Sequence, residues 1–283
     1  MEASLFPMDN CRQRPPRAAS RQPSTWSRGL MRLALVSLCA ACLALVYYPR
    51  PLLPEFPQPV DLKATTTTTT HSLPSFLFVG DSITELGSHP DLMGFQVLFQ
   101  KDYVRKADTI NRGNSGWTTR KWILALPTLL AEWRTKPPTL VVLFLGANDA
   151  CLTTGADAWA HVPLPEYKAN LNTLVRAFQT SFMHSRVLLV TPPPFDDTSI
   201  VWKDTRTNAE TGRYAAAAVD VAKRANVPVV DLWTALQPRI GTIFYDGLHP
   251  NANGNVHIHS LMRQTIRTAY PDLTPDQLPV VYS

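Results

Sequence analysis

The feature that most constrains this chain is a series of short, uninterrupted apolar runs separated by longer amphipathic stretches. The strongest run is Thr139–Leu145 (TLVVLFL). Parallel strands covered by helices have continuous apolar sequences, because neither face of the sheet meets water. The further candidate strands are Phe76–Val79, Asp108–Asn111 (the weakest), Arg186–Thr191 and Val227–Asp231, and the candidate helices are Phe95–Val104, Thr118–Trp133, Pro165–Phe182, Asn208–Ala225 and Asn253–Tyr270. This alternation predicts an α/β fold with three layers, α/β/α, around a central parallel sheet.

The positive charge of the chain is concentrated at its N-terminal end. The formal net charge is +5. Residues 1–72 hold eight Lys or Arg against four Asp or Glu, a balance of +4, which leaves 19 basic against 18 acidic residues, or +1, for residues 73–283. A nucleic-acid-binding domain needs a dense basic surface to neutralise phosphates, and residues 73–283 do not offer one. The sequence therefore predicts no nucleic-acid partner.

The first 72 residues divide by composition. Six arginines and no acidic residue occur between positions 11 and 32, and an uncharged run follows from Leu33 to Tyr48. A spanning helix needs about 20 apolar residues, with ~17 as a lower limit. The run approaches that length when Arg32 extends its charged end to the interface. These patterns predict a basic cytosolic tail (1–29), a transmembrane signal anchor (30–48), a Pro/Thr-rich stalk (49–72) and one α/β domain (73–283).

The orientation of this span follows from the positive-inside rule, which retains the arginine-rich side in the cytosol. The sequence thus predicts a single-pass membrane protein, with the membrane as a partner through the N-terminal helix and residues 73–283 on the lumenal or extracellular side. A cleaved signal peptide, which would release a secreted domain, is the main alternative. Signal peptides usually have a shorter basic region and an apolar core of about 7–15 residues. A mitochondrial presequence is less favoured.

Polar motifs follow the predicted strands at their carboxyl ends, where open parallel sheets bind ligands. Ser82 follows the first strand in GDSIT, Gly113 lies in the NRGNSG turn after the second, and Asn148 lies in GAND after the third. Asp246 and His249 lie in DGLHP, just before the last predicted helix. Because the carboxyl ends of parallel strands share one edge of a sheet, we expect these motifs to meet at one site.

The residue types at this edge suit acyl transfer. A serine at a helix start exposes its hydroxyl, and its own N–H faces the place where an oxyanion would form. Asp246 can accept from Nδ1 of His249, which leaves Nε2 to take the serine proton. A glycine of the NRGNSG turn can bring its backbone N–H close to a reacting oxygen, and the side-chain amide of Asn148 can donate to an oxyanion. Each motif also has a purely structural interpretation, as a helix cap or as a turn.

Together the four blocks resemble the SGNH branch of the GDSL hydrolases over about residues 75–270. GDSIT, NRGNSGWTTR, GAND and DGLHP occur in the family's order. The chain is still more similar to the isoamyl acetate-hydrolysing esterases, through the NRG-x-SG-x-x-TR block and the stretches His161–Tyr167, Thr191–Pro194 and Asp231–Trp233. The first block reads GDSI rather than GDSL, which retains an apolar residue.

The resemblance implies an SGNH hydrolase domain with a flavodoxin-like fold, and a carboxylic ester hydrolase that needs no cofactor and no metal. Ser82 would be the nucleophile, His249 the general base and acid, and Asp246 the carboxylate that orients it. The oxyanion hole would consist of the N–H groups of Ser82 and Gly113 and the amide of Asn148. The implied substrates are small-molecule esters with short acyl chains, such as acetates.

The residues beside the motifs bear on the substrate. Ile83, Leu86, Trp117 and Phe195 are apolar or aromatic and lie next to or between the blocks, which predicts an apolar pocket that favours a short, uncharged ester over a sugar ester. A carbohydrate O-deacetylase of the secretory pathway is the alternative enzyme.

The alternatives to this assignment are an inert binding module, an α/β-hydrolase and a metal-dependent hydrolase. An inert binding module with the same fold is the alternative from another class, because a fold alone does not prove chemistry. The chain lacks the Gly-x-Ser-x-Gly elbow of α/β-hydrolases. A metal site at His257 and His259 is disfavoured, since residues two apart on a helix do not share a face.

Overall fold

A computed structural model describes residues 73–281 of the chain. It confirms the predicted α/β fold: five parallel strands form one sheet in the order β2-β1-β3-β4-β5. The strands are β1 (Ser75–Gly80), β2 (Asp108–Gly113), β3 (Leu140–Phe144), β4 (Arg186–Val190) and β5 (Val229–Val230).

Helices connect successive strands and cover both faces of the sheet. They are α1 (Ser82–Leu86), α2 (Phe95–Asp102), α3 (Thr119–Glu132), α4 (Leu164–Ser181), α5 (Asn208–Ala225), α6 (Leu232–Leu236), α7 (Ile240–Ile243) and α8 (Ala252–Ala269). The five predicted helices correspond to α2, α3, α4, α5 and α8, with ends that differ by two residues at most. Helix α1 begins at Ser82, where the sequence predicted a helix start, whereas the short helices α6 and α7 were not predicted, because four or five residues are too few to show a helical period.

Alternate residues of the central strands enter two different hydrophobic cores. In β1, Phe76 and Phe78 belong to one core with residues of α2 and α8. Leu77 and Val79 belong to the other core with residues of α3, α4 and α5. Strand β3 divides in the same way. This is why the strand sequences are apolar throughout, as two layers of helices require.

The register of the sheet aligns the carboxyl ends of the first three strands. Gly80, the last residue of β1, pairs with Gly113 on one side and with Phe144 on the other. The segments that follow are the start of α1, the 114–118 loop and the 146–149 loop. Three of the predicted sequence blocks therefore emerge side by side at one edge of the sheet, as parallel pairing requires.

The predicted tail, signal anchor and stalk over residues 1–72 lie outside the described residues and stay predictions. Within residues 73–281, none of the helices combines the length and the apolar character that crossing a bilayer would take.

Candidate active site

Ser82 is the first residue of α1 and directly follows the turn that leaves β1. The preceding residue, Asp81, caps this helix: its Oδ1 accepts from the N–H of Ile83 at 2.9 Å. Ser82 is therefore not the cap, and its hydroxyl is left for other contacts. That outcome removes the structural interpretation of Ser82 as an N-terminal cap.

The Ser82 hydroxyl meets a histidine from the far end of the chain. His249 Nε2 lies 3.0 Å from Ser82 Oγ, and His249 Nδ1 lies 2.7 Å from Asp246 Oδ2. With its proton on Nδ1, a neutral His249 donates to Asp246 and leaves Nε2 to accept from the serine hydroxyl. The structure thus brings Ser82, His249 and Asp246 into the hydrogen-bonded chain that their sequence motifs predicted.

Asp246 is held as an anion by a set of N–H donors. Its Oδ1 accepts from the backbone N–H groups of Leu248 (2.9 Å) and His249 (2.7 Å), and its Oδ2 also accepts from the indole of Trp202 (2.9 Å). Burial acts to raise the pKa of Asp246, but the hydrogen bonds from His249, Trp202 and Leu248 outweigh it and lower the pKa below its usual value. A fixed carboxylate is what keeps His249 in the required tautomer.

Trp202 is a residue that sequence reasoning missed. Its ring packs edge-on against His249, with 5.6 Å between centroids, while Tyr245 stacks on the imidazole at 5.8 Å. Trp202 lies in the long loop between β4 and α5, more than forty positions before the histidine. The only signal in the sequence was a tryptophan in a loop, a position where a large apolar side chain needs a packing partner.

The Ser82 hydroxyl faces a cavity of about 290 Å³. The side chains and backbone that line it are those of Ser82, Leu86, Ser115, Gly116, Asn148, Asp157, Trp159, Trp202, Arg206, Leu248 and His249. The cavity is therefore mixed in character, with two tryptophans and two leucines beside one carboxylate and one guanidinium.

Three of the four residues predicted to form an apolar pocket lie elsewhere. Leu86 lines the cavity, but Ile83 and Phe195 are buried in the core that contains α2 and α8. Trp117 packs against Trp122, with 4.8 Å between ring centroids, on the opposite face of the sheet. Successive side chains of a helix or loop point in different directions, so proximity to a motif in sequence did not place them in the cavity.

Asn148 lines the cavity and is held at both ends of its amide. Nδ2 donates to the carbonyl of Trp117 at 3.0 Å, and Oδ1 accepts from Nη2 of Arg206 at 2.9 Å. The second N–H of Nδ2 has no hydrogen-bond partner within residues 73–281. It is the group through which Asn148 can donate to a ligand.

Gly113, predicted as an oxyanion donor, is placed differently. It is the last residue of β2, its N–H donates to Asn111 Oδ1 at 2.7 Å, and it does not line the cavity. A Cβ on Gly113 would lie 2.7 Å from Glu85 Cα, so the glycine is needed for α1 to approach β2 closely. The prediction for Gly113 was wrong in position, because a turn with two glycines does not reveal which of them faces the ligand.

Gly116, the second glycine of that turn, lines the cavity instead. Its φ of +72° lies in the left-handed region that favours glycine. Its N–H has no partner among the described residues. The preceding residue, Ser115, is fixed by Glu85 Oε2, which accepts from both its N–H and its hydroxyl at 2.7 Å. Gly116 is thus the glycine placed to donate beside Ser82 and Asn148.

We expect Gly113→Ala to lower the free energy of unfolding by about 1–3 kcal/mol, because the new methyl group overpacks the contact between β2 and α1. Gly241→Ala is the matched control: a Cβ at Gly241 meets nothing within 4 Å. Urea denaturation of both variants measures the difference. Equal stabilities would contradict the close approach of Gly113 to α1.

Asp149, in the loop after β3, is hydrogen-bonded to Thr119 at the start of α3. It is fully buried, and its Oδ1 accepts from the N–H of Thr119 at 3.0 Å and from the Thr119 hydroxyl. Burial raises the pKa of Asp149 to about 7, against the effect of the Thr119 hydrogen bonds. Burial likewise raises the pKa of Asp81 to about 6, partly offset by the Ile83 N–H and by the charges of His249 and Arg206.

A raised pKa has a definite consequence for stability. In the unfolded chain Asp149 has the ordinary aspartate pKa of 3.8 and releases its proton near that pH, whereas burial in the folded chain raises its pKa to about 7. The free energy of unfolding is therefore expected to fall as the pH rises from about 4 to about 7. Asp149→Asn should reduce that fall, as measured by urea denaturation across this range. Parallel stability curves for the two proteins would show that Asp149 ionises normally.

The two histidines of α8, His257 and His259, do not line the cavity. His259 Nε2 contacts Asp102 Oδ2 at 3.0 Å, remote from the cavity. Over residues 73–281, no group of three or more His, Cys, Asp or Glu side chains is arranged to hold a metal ion.

Comparison with known proteins places this site in a family. The model of the "GDSL-like Lipase/Acylhydrolase family" matches residues 78–256. The rat "Isoamyl acetate-hydrolyzing esterase 1 homolog" is 34% identical over 221 residues, which cover 72% of this chain and 86% of the rat protein.

Solved structures show the same fold. The lipase/acylhydrolase from Enterococcus faecalis superposes with a TM-score of 0.56 at 24% identity, covering 75% of this chain and 100% of that one. An acetylxylan esterase from Geobacillus stearothermophilus superposes with a TM-score of 0.55 at 22% identity, covering 68% and 94%. The family match, the similarity to the rat protein and the shared fold agree: this chain is an ester hydrolase and belongs to the GDSL-like lipase/acylhydrolase family.

Proposed function

We propose that this enzyme hydrolyses short-chain acyl esters through an acyl-enzyme intermediate on Ser82. The observation that carries the proposal is the unbroken hydrogen-bonded chain from Ser82 Oγ through His249 to Asp246, at 3.0 and 2.7 Å, beside the cavity that Asn148 lines. It supplies a nucleophile, a base and an orienting anion in one arrangement.

In the first half-reaction, Ser82 Oγ attacks the carbonyl carbon of the ester while His249 Nε2 takes the hydroxyl proton. The carbonyl oxygen becomes an oxyanion that accepts from the N–H groups of Ser82 and Gly116 and from Asn148 Nδ2. His249 then gives its proton to the departing alcohol oxygen, and the C–O bond breaks. The acyl group remains on Ser82 as an ester.

In the second half-reaction, water takes the place of the alcohol. His249 Nε2 removes a proton from the water, whose oxygen attacks the acyl carbon. The same donors hold the new oxyanion. Collapse breaks the bond to Ser82 Oγ, which recovers its proton from His249, and the carboxylic acid leaves. Asp246 remains an anion throughout and stabilises the imidazolium that forms twice in the cycle.

The catalytic roles are tested by substitution. We expect Ser82→Ala and His249→Ala each to lower kcat by roughly 10⁶-fold, and the double variant to be little worse, because the two residues act as one unit. Ser88→Ala is the matched serine control, since Ser88 is exposed and lies just after α1, outside the cavity. Initial rates on p-nitrophenyl acetate provide the measurement. Losses that multiply in the double variant would mean that Ser82 and His249 do not share one mechanism.

The size of the cavity supports a short acyl chain. About 290 Å³ must hold the acyl group and at least part of the alcohol. Each buried CH₂ contributes about 0.8 kcal/mol only while the cavity has room for it. Leu86, Leu248 and Trp202 supply apolar surface beside His249 and Ser82. A longer acyl chain exhausts the cavity and has to extend into solvent.

A second candidate substrate is an acetylated carbohydrate. Asp157 adds a carboxylate to the cavity, and Trp159, which also lines it, is 60% exposed, with the Lys121 ammonium 4.8 Å from the centre of its ring. A carboxylate beside an indole suits a polyhydroxylated alcohol better than a simple alkyl one, because hydroxyl groups can donate to the carboxylate while C–H groups pack on the indole. This mixed lining favours the sugar ester more than the apolar pocket expected from the sequence did.

Two series of esters decide between these substrates. Across p-nitrophenyl esters, we expect kcat/KM to fall from acetyl and butyryl to long acyl chains, because the cavity limits the acyl group. Isoamyl acetate and an acetylated xylooligosaccharide then differ only in the alcohol. A kcat/KM that is higher for the oligosaccharide by more than about tenfold, or 1.4 kcal/mol, would replace the simple ester with the sugar ester. A preference for long acyl chains would contradict both.

A further inference from the structure

Arg206 is a buried cation in the wall of the catalytic cavity. Its side chain is 3% exposed, and its partners account for most of the guanidinium. Nη1 donates to Asp157 Oδ2 (2.7 Å) and Thr205 Oγ1 (3.0 Å), Nη2 donates to Asn148 Oδ1 (2.9 Å), and Nε donates to the Ala147 carbonyl (3.4 Å). Burying a guanidinium costs several kcal/mol of desolvation, so its presence here calls for a reason beyond stability.

The contact with Asn148 fixes which way the amide points. In the observed orientation, Oδ1 faces the guanidinium and Nδ2 faces the Trp117 carbonyl. In the flipped orientation, Nδ2 would face the donors of Arg206, and Oδ1 would face the Trp117 oxygen. Both contacts would then be repulsive, because guanidinium offers only donors and a carbonyl only acceptors. Arg206 and Trp117 together therefore select one amide orientation.

The selected orientation is the productive one. With Nδ2 on the cavity side of the Trp117 contact, its second N–H remains available to a carbonyl oxygen bound beside Ser82. The positively charged guanidinium of Arg206 next to Oδ1 also draws electron density from the amide, which makes its N–H groups stronger donors. This contact is shielded from solvent, since Asn148 and Arg206 are each 5% exposed.

We propose that Arg206 is a positioning residue for the oxyanion donor: it locks and polarises the Asn148 amide so that Nδ2 faces the oxyanion. This inference rests on the proposed function, in which Asn148 donates to the oxyanion. Arg206 acts through Asn148 and not on the substrate. Its effect belongs to the transition state, so it appears in kcat and not in KM.

A double-mutant cycle on the full chain tests this role, with p-nitrophenyl acetate as substrate. Asn148→Ala should lower kcat by roughly 10²–10³-fold. Arg206→Met removes the charge and the donors but retains much of the volume, and should lower kcat by roughly 10-fold to 10²-fold with KM unchanged. In the Asn148→Ala background, Arg206→Met should cause no further loss of kcat, because the donor it positions is gone.

The outcomes separate the inference from the proposed function. The same loss from Arg206→Met in both backgrounds, or a loss expressed in KM, overturns the positioning role alone. A normal kcat for Asn148→Ala overturns the oxyanion role of Asn148, and the inference with it. Arg213→Met is the matched control: Arg213 is an exposed arginine of α5 with a side chain 61% exposed, and its substitution should leave kcat unchanged.

A buried charge left unpaired can prevent folding, so a second variant accompanies the first. Arg206→Met leaves Asp157 without its cation, whereas Arg206→Lys retains the charge but loses the planar fork that reaches Asp157 and Asn148 at once. Thermal melting identifies the variants that fold. If Arg206→Met does not fold, Arg206→Lys carries the cycle, with the same criterion: its loss of kcat must vanish in the Asn148→Ala background.

Discussion

The parallel register of β1 between β2 and β3 is the constraint on which the site depends. Gly80 ends β1 in line with Gly113 and Phe144, so three loops start from one edge at neighbouring positions. A strand slipped by one residue would turn every side chain to the opposite face and transfer the phenylalanines of β1 into the wrong core. The same apolar packing that defines the two cores therefore also sets the distance between Ser82 and the loops that carry Gly116 and Asn148.

The acid–base pair reaches this edge by a different route. Asp246 and His249 lie three residues apart in one turn, and the carboxylate accepts from the backbone N–H groups of Leu248 and His249 as well as from the imidazole. Hydrogen bonds within the turn thus hold the carboxylate in place. Contacts between residues distant in sequence are needed only to attach the turn to the rest of the domain. The loop after β4 supplies that attachment, since Trp202 donates to Asp246 and Ser199 donates to the Asp246 carbonyl.

Local motifs explain why much of the site could be predicted. Ser82, Asn148 and the Asp246–His249 pair are each placed by a strand end or by a tight turn, and both are visible in the sequence. Gly113 was predicted in place of Gly116 because both belong to the NRGNSG block, and the sequence does not show that Gly113 ends β2 while Gly116 lines the cavity. The cavity residues Asp157, Trp159, Trp202 and Arg206 lie in the connections that follow β3 and β4, outside the α-helices and strands, and the conformation of such connections depends on contacts distant in sequence.

The charge states of the carboxyl groups near the cavity follow from the number of donors that each of them finds. Asp246 has several N–H donors, so its pKa falls and it remains an anion that His249 can use. Asp81 and Asp149 are more deeply buried, and burial raises their pKa values to about 6 and about 7. Burial in a medium with little water favours the neutral form of a carboxyl group unless enough donors compensate. Arg206 is buried among them, and its charge acts to lower the pKa of Asp81. The guanidinium that is hydrogen-bonded to Asn148 therefore also stabilises the ionised form of Asp81, the residue that caps α1 beside Ser82.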